Sequence, residues 1–225
     1  MKEWLSSPLF GIVLSISAFA AGTFIQKKLK TPLANPLVIA IALIIALLNV
    51  LDIPFEDFNQ GGQIITMLLA PATAVLALSI YNQLDVLKKN FLPTLAGCLA
   101  GSVAAIVSIV LMCRAFGLDQ TLTASLLPKS VTMPIAVGIS EQHGGLTSVT
   151  VAAVVVTGVF GTVFAPLLVR LFRVKNPVAS GVAIGASSHV GGTSTAIGMG
   201  EIEGAMSSIA IGVAGLITTF IAMFL

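Results

Sequence analysis

Six long apolar runs dominate this chain and decide what it can fold into. A helix needs about 20 predominantly apolar residues to cross the hydrocarbon core of a bilayer. The runs cover residues 8–26, 33–51, 62–81, 91–113, 147–171 and 205–225. Only 9% of the residues are charged, whereas a soluble domain carries about 25% to face water. The sequence therefore predicts an all-α integral membrane protein.

The charged residues lie between the runs and indicate how the chain crosses the membrane. Residues 27–30 (KKLK), 88–89 (KK) and 170–175 (RLFRVK) are basic, and residues 52–57 (DIPFED) are acidic. Short loops rich in Lys and Arg stay on the cytoplasmic side. We therefore predict a multi-pass protein whose N-terminus lies outside. The first run is interpreted as an anchor rather than a cleaved signal peptide, because it is long and the next run follows at once.

Two further segments do not have the pattern of plain spans. Segment 119–143 contains Pro128 and Pro134, which interrupt a helix, and segment 177–204 is rich in Gly, Ser and Thr. Irregular backbone survives at membrane depth only where it is buried in protein or lines a cavity. If 119–143 enters and returns on one side, residues 170–175 fall inside, as the loop rule requires. We predict about six transmembrane helices plus two broken or re-entrant segments, and broken helices that span remain the alternative.

Internal repeats support this division. Four positions recur at an offset of 60: Gly138, Glu141, Gly144 and Ser148 match Gly198, Glu201, Gly204 and Ser208. We predict one membrane domain over 1–225, with four spans in 1–115 followed by two units, 119–171 and 177–225, each made of a broken segment and a span. By the predicted topology these units enter from opposite sides. Paired broken segments in an inverted-repeat, transporter-like bundle mark a solute site near the midplane.

Polar side chains in the broken segments are the candidates for that site. A charge at the bilayer centre costs about 2.5–3.5 kcal/mol, so an intramembrane lysine such as Lys129 is a functional candidate that can pair with a carboxylate. Snorkelling of Lys129, or a structural pair with Glu141 or Glu201, is the alternative. The candidate substrate-binding residues are Asn35, Thr73, Lys129, Ser130, Thr132, Ser187, Ser188, His189, Gly192, Thr193 and Ser194.

The second broken segment has the chemistry of an oxyanion site. Its hydroxyl groups can donate to an anion, and a helix that restarts near Thr193 would aim its positive end at that anion. Close helix packing is the alternative for its glycines. Outside this segment, Asn35 either lines a cavity or starts a helix, and Thr73 belongs to a kink at Pro71.

Proton coupling has three candidates: His189, Glu141 and Glu201. Histidine titrates near neutral pH, and carboxylates inside membranes relay protons in pumps. The alternatives are a hydrogen-bonded structural histidine and carboxylates that stabilise helix N-termini.

Several classes of function are disfavoured by the sequence. Cys98 and Cys113 would be about 22 Å apart on one helix, too far for a disulfide, and no Cys/His cluster has metal-ligand spacing. We predict no metal and no cofactor. The net charge of +2 disfavours a nucleic-acid partner. No residues place a general base beside a nucleophile, so we predict that the protein is not an enzyme.

The blocks PLANPL (32–37), APATAVLALSIY (70–81), LPKSVTMPIA (127–136), ISEQHGG (139–145) and SSHVGGTSTA (187–196) with EGAMSS (203–208) resemble the LrgB/CidB family. This family includes YohK-type inner-membrane proteins and the C-terminal half of the plastid glycolate/glycerate translocator. The family pattern carries an arginine soon after the GT of the SSH-x-x-GT block, where this chain has Ser194 and Thr195. If that arginine holds a carboxylate in relatives, Lys129 is the main cation left here.

The resemblance implies a location in the bacterial inner membrane and two functions. One is transport of small monocarboxylates of the glycolate, glycerate, lactate or pyruvate class, with an elevator-like motion. The other is an antiholin-like modulation of murein hydrolase activity and autolysis, together with a small LrgA/CidA-like membrane partner. The concentration of polar residues in the two broken segments favours transport of a small anionic solute. The small size of the chain suggests a homodimer in the lipid bilayer.

Overall fold

The computed structural model describes residues 7–29, 35–68, 71, 74–75, 81 and 84–225. These ranges contain helices and no strand. In chain order the helices are α1 (Pro8–Leu29), α2 (Pro36–Val50), α3 (Phe55–Thr66), α4 (Leu84–Lys89), α5 (Phe91–Ala115), α6 (Gln120–Leu126), α7 (Met133–Gln142), α8 (Thr147–Leu171), α9 (Pro177–Met199) and α10 (Glu201–Ala222).

Helices α1, α5, α8 and α10 are long and apolar enough to cross a membrane. Their bounds agree closely with the predicted runs, and the predicted all-α membrane fold is confirmed. Helix α2 has only 15 residues and spans about 22 Å, less than the hydrocarbon core of about 30 Å. Nine of the 20 residues of the predicted run 62–81, among them the candidate Thr73, lie outside the described residues.

The acidic stretch predicted as a loop is helical from Phe55 onward, so that prediction was wrong there. Pro54 precedes the helix, and Glu56 and Asp57 lie in its first turn. Carboxylates at this position are stabilised by the partial positive charge of the helix N-terminus.

The chain divides into two compact units, Met1–Ala72 and Thr73–Leu225. In the first unit, α1 packs against α2 and α3 through glycines. A Cβ added at Gly11 would lie 3.0 Å from the Cα of Gly61, so the two backbones touch. Small residues allow such close approach between membrane helices.

Helix α10 is the centre of the second unit. Half of its most apolar stretch is buried (50%), against 22% in α5 and in α8. Its buried Met206 and Ile209 form a core with Cys98 of α5 and Val182 of α9. Buried side chains of this kind hold α5, α9 and α10 together and fix the position of the irregular segments.

The first irregular segment consists of α6, residues 127–132 and α7, and we call it the first hairpin. Asp119 caps helix α6, because its carboxylate accepts a hydrogen bond of 2.7 Å from the Leu122 N–H. Helix α7 begins after Thr132 with Pro134 in its first turn, where a proline is tolerated. Its 10 residues reach about 15 Å, half of the hydrocarbon core.

Contacts at its base show that the first hairpin reverses direction. A Cβ added at Gly145 would lie 2.9 Å from the Ser125 backbone nitrogen and in contact with the Ser140 hydroxyl. The Ser125 hydroxyl also accepts a hydrogen bond of 2.7 Å from the Leu146 N–H. Ser125 and Ser140 would be about 22 Å apart on a straight helix. The chain therefore enters and returns on the same side.

The second irregular segment is α9, which we call the second hairpin. His189 has φ 42° and ψ −137°, outside the helical region, and separates a first half (177–188) from a second half (190–199). A Cβ added at Gly192 would lie 2.9 Å from the Ile184 side chain. Residues eight apart on a straight helix are about 12 Å apart. The helix therefore folds back on itself at His189.

Packing against α10 shows the same reversal. In the first half of the second hairpin, Gly181 contacts Met206 and Gly185 contacts Ala210, so this half runs parallel to α10. In the second half, the hydroxyl groups of Thr193 and Ser207 are 2.7 Å apart.

Further along, Ile197 lies against Gly204, so the second half runs antiparallel to α10. The helix restarts at Val190, directly after the reversal. The predicted restart near Thr193 was therefore wrong by about one turn. Both irregular segments have the re-entrant arrangement.

Candidate functional site

The tips of the two hairpins meet at the central part of α8. Val131, at the tip of the first hairpin, packs in a buried cluster with Val154 of α8. His189, at the tip of the second hairpin, bonds to the same residue, with 3.0 Å between its Nε2 and the Val154 carbonyl oxygen. The backbones of Gly158 and Gly191 are in contact, because a Cβ at Gly191 would lie 2.5 Å from the Gly158 Cα.

The bases of the hairpins lie at opposite ends of α8. Near its N-terminal end, the Thr150 hydroxyl donates to the Ser140 hydroxyl of the first hairpin over 2.6 Å. Near its C-terminal end, Ala165 packs with Ile184 and Ala196 of the second hairpin. Because α8 is long enough to span the membrane, the hairpins enter from opposite sides. That these two hairpins belong to an inverted pair of repeats stays a prediction.

Lys129 at the tip of the first hairpin is a cation without a counter-ion in the described part of the chain. Its Nζ donates to the Ser130 hydroxyl at 3.1 Å, and no carboxylate pairs with it there. Lys129 is two residues from Val131, and both Val131 and His189 contact Val154 of α8. A partly buried ammonium group in this position favours an anionic ligand.

Thr132 is the buried polar residue that this part of the structure leaves unsatisfied. Its side chain is only 3% exposed, and its Oγ1 has no hydrogen-bond partner among the described residues. It precedes α7 without capping that helix, so its hydroxyl is not used locally. A buried hydroxyl without a partner costs about 1–3 kcal/mol, which a bound solute can offset.

The second hairpin contributes a pair of hydroxyl groups and a ring. The hydroxyls of Ser187 and Ser188 are 3.0 Å apart, and either can be the donor. His189 is 7% exposed, and its Nε2 is used by Val154. Its backbone conformation is rare for a residue with a side chain, and such strain concentrates at functional sites.

Three other candidates of the second hairpin have structural contacts of their own. Gly192 is buried against Ser188 and Ile184. The Thr193 hydroxyl is held between the His189 carbonyl (2.8 Å) and the Ser207 hydroxyl (2.7 Å), and the exposed Ser194 donates to Gly191. These contacts stabilise the hairpin and use hydrogen-bonding capacity of the Thr193 and Ser194 hydroxyl groups.

The remaining candidates have local roles in helices or at a hairpin base. Asn35 caps α2 in the first unit, where its side chain accepts a hydrogen bond of 2.9 Å from the Leu37 N–H, so it starts a helix. Glu141 lies at the base of the first hairpin and accepts from the Thr147 hydroxyl. Glu201 is exposed in the first turn of α10. The structure therefore brings only Lys129 and His189 of the charged candidates together.

An open groove of about 1030 Å³ lies beside the tips, between α8 and the first half of the second hairpin, and Phe160 and Phe172 in its lining are 58% and 72% exposed. Lys129, Ser187 and Ser188 lie at its inner end. From there it follows α8 from Val156 to Phe172, a distance of about 24 Å. Sequence reasoning missed its walls, although Phe160, Phe164, Leu168 and Phe172 recur at every fourth position, on one face of α8.

These features define a class: a polytopic membrane protein with two re-entrant hairpins whose tips meet inside the membrane. The LrgB-like family matches residues 15–225, and the chain belongs to this family. It is 39% identical over 220 residues to the antiholin-like protein LrgB of Bacillus subtilis (strain 168), covering 97% of this chain and 95% of that protein. The antiholin-like LrgB proteins of Bacillus mycoides (strain KBAB4) and Bacillus cereus (strain B4264) are each 39% identical over 216 residues, with 96% and 94% covered. No solved structure matches the chain.

Proposed function

We propose that the protein transports small monocarboxylates of the glycolate, glycerate, lactate or pyruvate class across the bacterial inner membrane. The observation that carries this proposal is the meeting of the two hairpin tips, which enter from opposite sides and place Lys129, a cation without a counter-ion among the described residues, beside the hydroxyl groups of Ser187 and Ser188. A protein that only binds partners does not need such a group of polar side chains at membrane depth, because the free-energy cost of burying each one has to be offset.

The chemistry of the tips suits a carboxylate. Lys129 supplies a charge, and Ser130, Ser187 and Ser188 supply hydroxyl donors. Thr132 supplies a further hydroxyl that has no partner among the described residues. A solute held at these tips can be exposed to either side if one predicted repeat, 119–171, moves against the other, 177–225, as in an elevator-like or rocking motion.

The decisive experiment is uptake of radiolabelled glycolate, lactate and pyruvate into proteoliposomes, with and without a pH gradient. We expect saturable uptake by the wild type and a loss of at least about 30-fold in Lys129→Ala, since truncating one partner of a buried charge pair costs about 2 kcal/mol or more. Lys88→Ala is the matched control, because Lys88 is exposed on α4. Absence of uptake of all three acids by correctly inserted wild type would contradict the proposal.

Proton coupling is tested in the same assay. If His189 carries a proton, uptake should rise with an inward proton gradient and lose this dependence in His189→Gln. Glu141→Gln and Glu201→Gln should keep it, because both carboxylates lie at hairpin bases. Loss of the dependence in either glutamate variant would transfer the coupling role to that residue.

A second candidate function is an antiholin-like modulation of murein hydrolase activity and autolysis, with an LrgA/CidA-like partner. The antiholin-like LrgB proteins of Bacillus to which the chain is similar favour it. On this reading the outer surfaces of the spans carry the function, and Lys129→Ala should alter autolysis of expressing cells no more than Lys88→Ala does. If Lys129→Ala abolishes both uptake and any effect on autolysis, the lysis effect follows from transport.

A further inference from the structure

The groove beside the hairpin tips is open to the bilayer along most of its length. The lining residues of α8 are apolar and exposed: Phe160, Phe164, Leu168 and Phe172. Lipid tails are as apolar as these side chains, so hydrocarbon chains of the bilayer cover this wall. A small carboxylate needs only the inner end of the groove, where Lys129 lies. The remaining length of the groove is therefore a surface for lipid.

Three cations surround the outer end of the groove. Arg170, Arg173 and Lys175 are exposed, and each is next in sequence to a residue that lines the groove. Helix α8 is long enough to span the membrane, so its C-terminal end lies at the level of the lipid headgroups. The groove thus joins an apolar wall inside the bilayer to a basic cluster at its surface.

The charge of this basic cluster is not neutralised by the protein. The sequence has no Asp or Glu between Glu141 and Glu201. Glu201 and Glu203 lie in the first turn of α10, at the base of the second hairpin, but neither forms an ion pair with the cluster among the described residues. Basic pockets between transmembrane helices bind anionic lipid headgroups. The combination of charge and apolar wall matches a lipid with an anionic head.

We infer that this groove binds an anionic phospholipid in preference to a zwitterionic one. The phosphate lies at Arg170, Arg173 and Lys175, and one acyl chain lies along the phenylalanine wall. The lipid leaves the inner end of the groove to a small carboxylate. This inference goes beyond the proposed function, because binding of the lipid does not require transport.

The test uses a tryptophan in the groove and phospholipids brominated in their acyl chains, which quench tryptophan fluorescence on contact. Phe164→Trp is prepared in a Trp4→Phe background, since Trp4 is the single tryptophan of the chain. The protein is reconstituted into bilayers of phosphatidylcholine and phosphatidylglycerol in which one of the two lipids is brominated. We expect a preference for phosphatidylglycerol of at least about tenfold, because each basic residue near the surface contributes about fivefold.

A matched reporter separates the groove from the rest of the lipid-facing surface. Leu99→Trp in the same background lies on α5, outside the groove lining, and Leu99 is 49% exposed against 41% for Phe164. We expect both brominated lipids to quench this reporter equally at equal fractions. Equal preference for phosphatidylglycerol at both reporters would overturn the inference, because the attraction would belong to the protein surface in general.

Charge variants locate the headgroup. Arg170→Gln, Arg173→Gln and Lys175→Gln in combination should remove the preference at the groove reporter. Lys88→Gln with Lys89→Gln, which removes two exposed cations of α4, should leave it unchanged.

Salt gives a second measurement that needs no charge variant. At about 1 M salt the screening length is about 3 Å, so the preference at the groove reporter should fall towards that of the Leu99→Trp reporter. A preference that survives the triple variant and high salt would overturn the inference. None of these measurements depends on uptake, so absence of transport would not alter their outcome.

Discussion

The two hairpins reverse the chain by different means. In the first hairpin, residues 127–132 form an extended turn next to Pro134, and a buried hydroxyl at Thr132 has no partner among the described residues. In the second hairpin, one residue, His189, makes the reversal, and glycines bring Gly191 into backbone contact with α8.

This difference indicates a division of roles. Prolines lack an N–H group and interrupt the helix at the first turn. The Thr132 hydroxyl there has no partner among the described residues, so it is available to a ligand. A reversal packed through glycines satisfies its own hydroxyls, as Thr193 and Ser207 show. We therefore expect substitution of Thr132 in the first hairpin to impair binding, and substitution of Gly191 or Thr193 in the second hairpin to impair stability.

The largest expected contrast is between two glycine substitutions. Gly158→Ala places a methyl group 2.8 Å from the His189 ring, so we expect a loss of about 3 kcal/mol, at the upper end of overpacking costs. Gly138→Ala in the first hairpin points into open space and should stabilise helix α7 by about 0.5–1 kcal/mol. Thermal unfolding in detergent, followed by a maleimide dye that reacts with the buried Cys98 and Cys113 as they become exposed, measures both. Equal unfolding temperatures for the two variants would contradict the tight contact.

A pair of threonine variants tests the division of roles directly. Thr193→Val removes two hydrogen bonds and should cost about 1–3 kcal/mol of stability. Thr132→Val removes none within the described residues, should leave the unfolding temperature unchanged or higher, and should weaken substrate binding about tenfold. Full binding by Thr132→Val would show that this hydroxyl does not contact the ligand.

The smallest expected effect concerns the backbone of His189. Its positive φ is costly for a residue with a Cβ and free for glycine. His189→Gly should therefore be more stable than His189→Ala by about 1 kcal/mol, although both lose the ring bond to Val154. The same dye assay checks this difference. Greater stability of the alanine variant would mean that no strain is stored at this turn.

Much of the fold could be predicted from the sequence because lipid imposes simple requirements. Helix α8 has the bounds of its apolar run, 147–171, because basic residues and a proline follow it. The interruption in 119–143 was predictable from Pro128 and Pro134, which cannot continue a helix.

Other features depend on contacts that no local pattern reveals. The reversal of α9 lies at His189 rather than at a neighbouring glycine, because Val154 holds the ring. Phe160 and Phe164 are exposed, as lipid-facing residues are, and their place along a groove depends on the packing of the second hairpin beside α8. The hydrogen bond between the hydroxyl groups of Thr193 and Ser207 joins residues fourteen positions apart, so no local pattern could predict it.

The central claim is that the two hairpins enter the membrane from opposite sides and return. It is tested by labelling single cysteines in intact cells with a membrane-impermeant thiol reagent; the native Cys98 and Cys113 are buried and serve as background. Cysteines replacing Leu118 and Gln142 flank the first hairpin, and cysteines replacing Lys175 and Glu201 flank the second. We predict that the first two are labelled from outside and that the last two are labelled only after the membrane is opened. Labelling of Leu118→Cys and Gln142→Cys from different sides, or of all four from one side, would contradict the account.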